Sequence, residues 1–225
     1  DSIQSQDLFL TIDCVRKVLV ELTQNGYLPT LFFIRFDRMG DTVTPEFFSN
    51  LQGLRDATMH KLSYIFTSYR GLDAISPSVF KRASLSVFSK NLYIKPAKEE
   101  DTKVILDTYK ERYRLSLAPE IERELFGIVD GYIQYLQLAL IHLHEKQTPL
   151  KGKGELFETL LRDERIALQS EELWESLDDA EKDVLFKIEK GIEPTKKEKE
   201  LGSYLWDTGL LTDVSGKTHV FSPLF

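Results

Sequence analysis

The sequence predicts an α/β chain: a small parallel-sheet core, then an all-helical segment, then a closing module of helices and a β-hairpin. Three observations carry this. Two short apolar runs, Leu31-Phe32-Phe33-Ile34-Arg35-Phe36-Asp37-Arg38-Met39 and Leu62-Ser63-Tyr64-Ile65-Phe66-Thr67-Ser68-Tyr69-Arg70, both end abruptly in polar groups. Runs of this kind read as strands buried on both faces, which belong mostly to parallel sheets covered by helices. Helical spacing of apolar residues alternates with these runs, and after Pro96 it stands alone until two alternating runs flank Ser215-Gly216.

Taken in order, Leu8, Ile12, Val15, Val18, Leu19 and Leu22 form an amphipathic stripe over 7–24, closed by Asn25-Gly26. The first strand is expected at about 31–37. Thr44 then caps a helix with Pro45 in its first turn, and Phe47, Phe48, Leu51 and Leu54 make its inner face. The second strand is expected at about 62–67, a helix near 77–83, and a short strand at Leu92-Tyr93-Ile94, stopped by Pro96. Helices follow around Val104–Tyr113, around Ile121–Val129 and around Ile133–Leu143, the last two separated by Asp130-Gly131. A linker with Pro149, Gly152 and Gly154 leads to a helix marked by Leu156, Phe157, Leu160, Leu161 and Leu168. Beyond Leu177 come two helices, ended by Gly191 and Gly209, and then a hairpin of 210–214 and 217–221. The order helix, helix, hairpin is the outline of a winged helix. The expected domains are thus 1–97, 98–148 and 149–225.

Composition narrows the function. The chain has 225 residues, 42% hydrophobic, enough for two or three small cores. Its net charge of −7 argues against a protein whose whole surface coats nucleic acid. The single cysteine, Cys14, has no partner for an internal disulfide and reads as core filler. No apolar run is long enough to span a bilayer and no basic leader precedes the first helix, so the expectation is a soluble, cytoplasmic protein without a membrane partner. The chain begins at Asp1 without a Met, as though cut from something longer.

The order of parts resembles the second half of an AAA+/STAND-type P-loop ATPase, of the kind close to replication-origin initiators. Leu31 to Met39 looks like the Walker B strand, Leu62 to Arg70 like the sensor 1 strand, Lys98 to Leu143 like the helical lid, and 177–225 like the winged helix. Pro45-Glu46-Phe47-Phe48-Ser49-Asn50-Leu51 and Ser222-Pro223-Leu224-Phe225 share the texture of that family.

On this resemblance the Mg²⁺-binding Asp of Walker B falls on Ile34 and the catalytic Glu on Arg35, with Phe36-Asp37 as the following aromatic and Asp. Ile cannot ligate Mg²⁺, which wants oxygen, and Arg35 places a cation where a base should be. Asp37 in a shifted register is the alternative metal residue. No Gly-x-x-x-x-Gly-Lys-Ser/Thr occurs in the sequence. ATP and Mg²⁺ therefore enter only with a P-loop upstream of Asp1, and no cofactor is expected for the chain as given. The resemblance further implies Thr67, Ser68 and Arg70 near a γ-phosphate, Gln134 in the sensor 2 place, and Arg82 as an arginine finger. Strand-end hydroxyls that satisfy their own backbone, and a solvated arginine, are the plain alternatives.

In the winged helix, Lys196, Lys197 and Lys199 are the residues that would meet DNA phosphates. From Ser176 onward, however, seven Lys and no Arg stand against ten Asp and Glu. That balance favours a protein partner or self-association over DNA. His142 and His144, two apart on a helix, point to different faces and do not share a metal. No Cys/His cluster has zinc spacing.

The expected function is a regulatory or scaffold part of such an ATPase, with a degenerate nucleotide site and a winged helix used for protein contacts. The alternative is a DNA-binding, origin-recognition-like ATPase whose P-loop lies upstream.

Overall fold

A computed structural model describes residues 8–77, 79–80, 90–146, 154–214 and 216–225. The fold is mixed α/β, mostly helical, with one small parallel sheet and one hairpin. It forms two compact units, Asp1–Asn91 and Leu92–Phe225. No helix among the described residues is long and apolar enough to cross a membrane.

The first unit runs α1 (Leu8–Gln24), β1 (Thr30–Phe33), a 3-10 turn (Phe36–Thr42), α2 (Pro45–Ala57), β2 (Ser63–Phe66) and α3 (Leu72–Ile75). Thr44 caps α2, its hydroxyl accepting the Phe47 N–H at 3.3 Å, and Pro45 occupies the first turn, where its missing N–H costs nothing. α2 carries the chain back so that β1 and β2 pair in parallel, from Thr30 opposite Ser63 to Phe33 opposite Phe66.

One face of this sheet is the core. Phe33 and Phe66 stack at 4.9 Å, and Phe36, Phe47 and Phe48 surround them at 4.9–6.2 Å. Leu31 and Tyr64 continue the face over Leu19, Leu54 and Leu62. The Tyr64 hydroxyl donates to the Leu51 carbonyl at 2.7 Å, and burial pushes its pKa up to about 12.

The opposite face corrects the expectation of a strand buried on both sides. Phe32 is 62% exposed, Ile34 75% and Ile65 42%. Period-2 alternation sends every second side chain away from α2. The first strand also ends earlier than expected, at Phe33, because Arg35 turns the chain with φ 55° and ψ 50°. Cys14 is exposed on α1, so it is not core filler. The helix expected near 77–83 falls largely outside the described residues; a short helix precedes it at Leu72–Ile75.

The second unit opens with an extended segment at 92–97 rather than the expected strand, since Leu92–Ile94 pair with no strand among the described residues. It continues through α4 (Glu99–Tyr113), α5 (Pro119–Val129), α6 (Ile133–Lys146), α7 (Glu155–Leu161), α8 (Glu164–Glu175), α9 (Asp179–Glu189), α10 (Lys196–Leu201) and α11 (Ser203–Asp207). β3 (Leu211–Val214) and β4 (Lys217–Val220) close it as an antiparallel hairpin. The helix expected after the linker is two helices, because Asp163 caps a new one by accepting the N–H groups of Arg165 and Ile166.

Between α5 and α6 the chain turns through Asp130 (φ 43°) and Gly131 (φ 77°). A Cβ at Gly131 would lie 2.1 Å from the Ala97 carbonyl oxygen, so only glycine fits. The segment after the hairpin folds back on the helices. Phe221 stacks on Tyr135 at 6.0 Å, Ser222 Oγ donates to the Ile128 carbonyl at 2.7 Å, and Ser170 Oγ donates to that of Leu224. The tail thus ties α5, α6 and α8 together, and in this unit Leu125, Tyr135, Leu136, Leu160 and Leu205 are fully buried.

Candidate functional site

The carboxyl ends of β1 and β2 bring together five of the residues singled out in the sequence: Arg35, Asp37, Thr67, Ser68 and Arg70. The left-handed conformation of Arg35 is unusual for a residue other than glycine and costs about 1 kcal/mol. Two backbone bonds and one side chain hold it. The Arg35 N–H donates to Thr67 Oγ1 at 3.1 Å, the Phe36 N–H to the Thr67 carbonyl at 2.8 Å, and the Thr67 N–H to the Phe33 carbonyl at 2.9 Å. Phe36, 1% exposed, anchors the turn in the aromatic core.

This turn fixes the direction of the Arg35 side chain. Its Nε and Nη2 donate to Asp37 Oδ2 at 3.3 and 3.1 Å. Its guanidinium carbon lies 4.6 Å from the centre of the Tyr69 ring. The cation is held between a carboxylate and an aromatic face, a geometry suited to guanidinium. Ser68 Oγ donates to the Arg70 carbonyl at 2.5 Å, so that hydroxyl is turned onto its own loop.

The arrangement does not fit Mg²⁺. A hard cation of that size wants several oxygens in octahedral order. Asp37 Oδ2 is engaged by Arg35, and its Oδ1 is buried without a hydrogen-bond partner. Ile34, on the metal-binding place of the resemblance, is an exposed apolar side chain. Chemically, the strand end is an ion pair set over an aromatic ring.

Comparison with protein-family models, curated proteins and solved structures found no match.

Gln134 and the three candidate lysines belong to the second unit. Gln134 is exposed on the first turn of α6, in the second unit. Arg82 lies outside the described residues. Lys196 and Lys197 are exposed on the first turn of α10. Lys199 instead turns toward its own module, with Nζ 3.9 Å from Asp213 Oδ1 and 5.5 Å from the centre of the Trp206 ring. Between them, Glu198 closes a capping box with Thr195 and pairs with Lys187. These bonds, Lys187 foremost, hold the Glu198 pKa at about 2.

Two features escaped the sequence reading. Tyr69 lies under Arg35, and the only signal was an aromatic residue within the polar tail of the second strand. The other is a buried pair in the second unit: His142 Nδ1 lies 2.5 Å from Asp163 Oδ2. Arg165 also grips Asp163, through Nε at 3.2 Å and Nη2 at 2.9 Å, and reaches Glu145 through Nη1 at 3.1 Å. Chiefly through these Arg165 bonds, the Asp163 carboxyl is held well below the usual carboxylate range. His142 Nε2 is buried without a hydrogen-bond partner. His144, by contrast, packs on Tyr113 at 5.5 Å.

Proposed function

We propose that this chain is a non-hydrolysing scaffold part of an AAA+/STAND-like ATPase, with the first unit a degenerate piece of the nucleotide core. On the same reading the helices around Asp130-Gly131 form its lid and the last helices with the hairpin a winged helix used for protein contacts. The observation that carries the proposal is the Arg35–Asp37 ion pair at the carboxyl end of a parallel strand. Ligands of open parallel sheets gather at that end. Here the carboxylate that would serve a metal is neutralised by the arginine standing where a base would act.

The test is calorimetry and phosphate release on the full-length protein with ATP and Mg²⁺. The expected outcome is no Mg²⁺-dependent turnover, unchanged in Arg35→Ala. Turnover that falls on Asp37→Ala would overturn the proposal.

Binding of DNA by the hairpin module is the weaker reading. The second unit carries nineteen Lys and Arg against twenty-seven Asp and Glu, a net of −8. One of its three candidate lysines, Lys199, is already drawn to Asp213 and Trp206. A salt-dependent affinity for duplex DNA that disappears in Lys196→Glu with Lys197→Glu would restore that reading.

A further inference from the structure

The hairpin has two edges, and the fold treats them differently. The Phe221 N–H donates to the Leu210 carbonyl at 3.0 Å, and Leu211 stands opposite Val220. In an antiparallel ladder the main-chain groups then alternate. Those of Thr212 face His219, while those of Leu211 and Asp213 on β3 and of Thr218 on β4 point outward. On β4 the outward Thr218 N–H is taken by Glu193 Oε1 at 3.3 Å. On β3 the outward groups of Leu211 and Asp213 pair with no described residue. A groove of about 360 Å³ lies along this edge, lined by Leu211, Thr212 and Asp213 and by Trp206, Lys95 and Pro96.

The same unit carries an extended segment with no strand to pair with. Residues 92–95 read Leu-Tyr-Ile-Lys, and none of their main-chain groups bonds to a described residue. Leu92, at 81%, and Ile94, at 94%, are the most exposed large apolar side chains among the described residues. Tyr93 rests edge-on against Tyr204 of α11 at 6.2 Å, and Pro96 packs against Gly209. These contacts hold the segment beside the groove, with its two apolar side chains in water.

We propose that two copies of this chain exchange these segments, residues 92–95 of each adding as a third strand to β3 of the other. The inference deepens the protein-contact reading above by naming the partner. The edge calls for extended backbone, because a strand meets main-chain donors and acceptors spaced along β3. One sequence supplies both an edge without a strand and a strand without an edge. A two-fold exchange therefore satisfies both and closes, leaving no place for a third copy to add. Leu92 and Ile94 leave water, and Lys95 comes to the edge that holds Asp213, its opposite in charge. Each chain has a net charge of −7, a repulsion that salt screens beyond about 8 Å at 0.15 M, whereas the main-chain bonds are uncharged. The dimer is thus expected to tighten as salt is added.

The test is sedimentation equilibrium of the full-length protein, with amide exchange followed at several concentrations. The expected species is a dimer of twice the 26.0 kDa chain, in which the Leu211 and Asp213 amides exchange more slowly as the concentration rises. Ile94→Pro removes a strand donor and Asp213→Pro removes an edge donor, neither of which is bonded within one copy. Each is expected to weaken the dimer about tenfold or more. Mixed together, the two variants keep one intact edge and one intact segment, so they associate with each other more tightly than either does with itself. Circular dichroism checks the fold. Leu92→Lys with Ile94→Lys, at two exposed positions, replaces any proline variant that unfolds.

The inference is overturned by a parent that stays monomeric up to about 0.1 mM, by a dimer that the variants leave unchanged, or by a mixture no tighter than its parts. A dimer lost in Phe32→Thr but kept in the segment variants would place the contact on the first unit instead. Mg²⁺-dependent ATP turnover would remove the scaffold reading while leaving the exchange in place, so the two failures are distinguishable.

Discussion

Asp163 and His142 are twenty-one positions apart in the chain, yet their side chains meet at 2.5 Å with almost no exposure to solvent. The aspartate serves three purposes at once. It caps α8, ties that helix to α6 through the imidazole, and takes the Arg165 guanidinium. Breaking a buried, hydrogen-bonded group of this kind is costly because its partners stay behind unpaired. Asp163→Ala is expected to destabilise the second unit by about 3 kcal/mol in urea denaturation at pH 7. The fold lowers the Asp163 pKa, so its contribution is complete above the ordinary carboxylate value of 3.8 and drains away as the pH falls below it. The gap between parent and variant should therefore narrow on acidification; a gap constant down to pH 2 would refute the assignment.

The α5–α6 turn should respond to glycine in opposite senses at adjacent positions. Gly131→Ala would drive a methyl group against the Ala97 carbonyl at a backbone conformation alanine resists, and is expected to cost about 2 kcal/mol or more. Asp130→Gly relieves a left-handed residue at the end of α5 and removes a carboxyl whose pKa burial raises. A gain of about 0.5–1 kcal/mol is expected. Thermal melts of the two variants decide this by their signs.

Sheet alternation gives a contrast between neighbours. Phe33 touches the rings of Phe36, Phe47, Tyr64 and Phe66, and Phe33→Ala should cost about 3 kcal/mol. Phe32 points the other way, and Phe32→Thr should change stability by less than about 1 kcal/mol while lowering the binding of a hydrophobic dye. Equal losses at the two positions would mean that the outer face is covered in solution.

The Arg35–Asp37 pair is partly exposed and so is worth little as stability. A double-mutant cycle with Arg35→Ala and Asp37→Ala should return a coupling of about 0.5–1 kcal/mol, falling with added salt. A coupling near zero would mean that the pair does not persist in solution and that Asp37 is open to other ligands.

Much of the architecture was legible because its signals are local. Thr44 with Pro45 announced α2, the spacing of Phe48, Leu51 and Leu54 gave its buried face, and the alternation around Ser215-Gly216 gave β3 and β4. What failed depended on distant chain. An apolar run does not reveal which of its faces lacks a cover, so Phe32 and Ile34 read as buried. Leu92–Ile94 has strand composition, but a strand exists only where a neighbour pairs with it. In the candidate site the polar strand ends were visible, whereas the pairing of Arg35 with Asp37 over Tyr69 depends on a left-handed turn that no residue type announces. Spacing along a helix relates His142 to His144 and says nothing of Asp163, a partner on another element.

The tail beyond the hairpin has a mechanical consequence. Phe221 presses on Tyr132 at 5.1 Å, Tyr132 adjoins Gly131, and the Gly131 carbonyl accepts the Ala97 N–H at 2.8 Å. Tension applied at β4 reaches the start of α4 through three residues and one hydrogen bond. Displacing Phe221 is therefore expected to disturb the Gly131 turn and the extended segment at 92–97, through which the chain enters this unit.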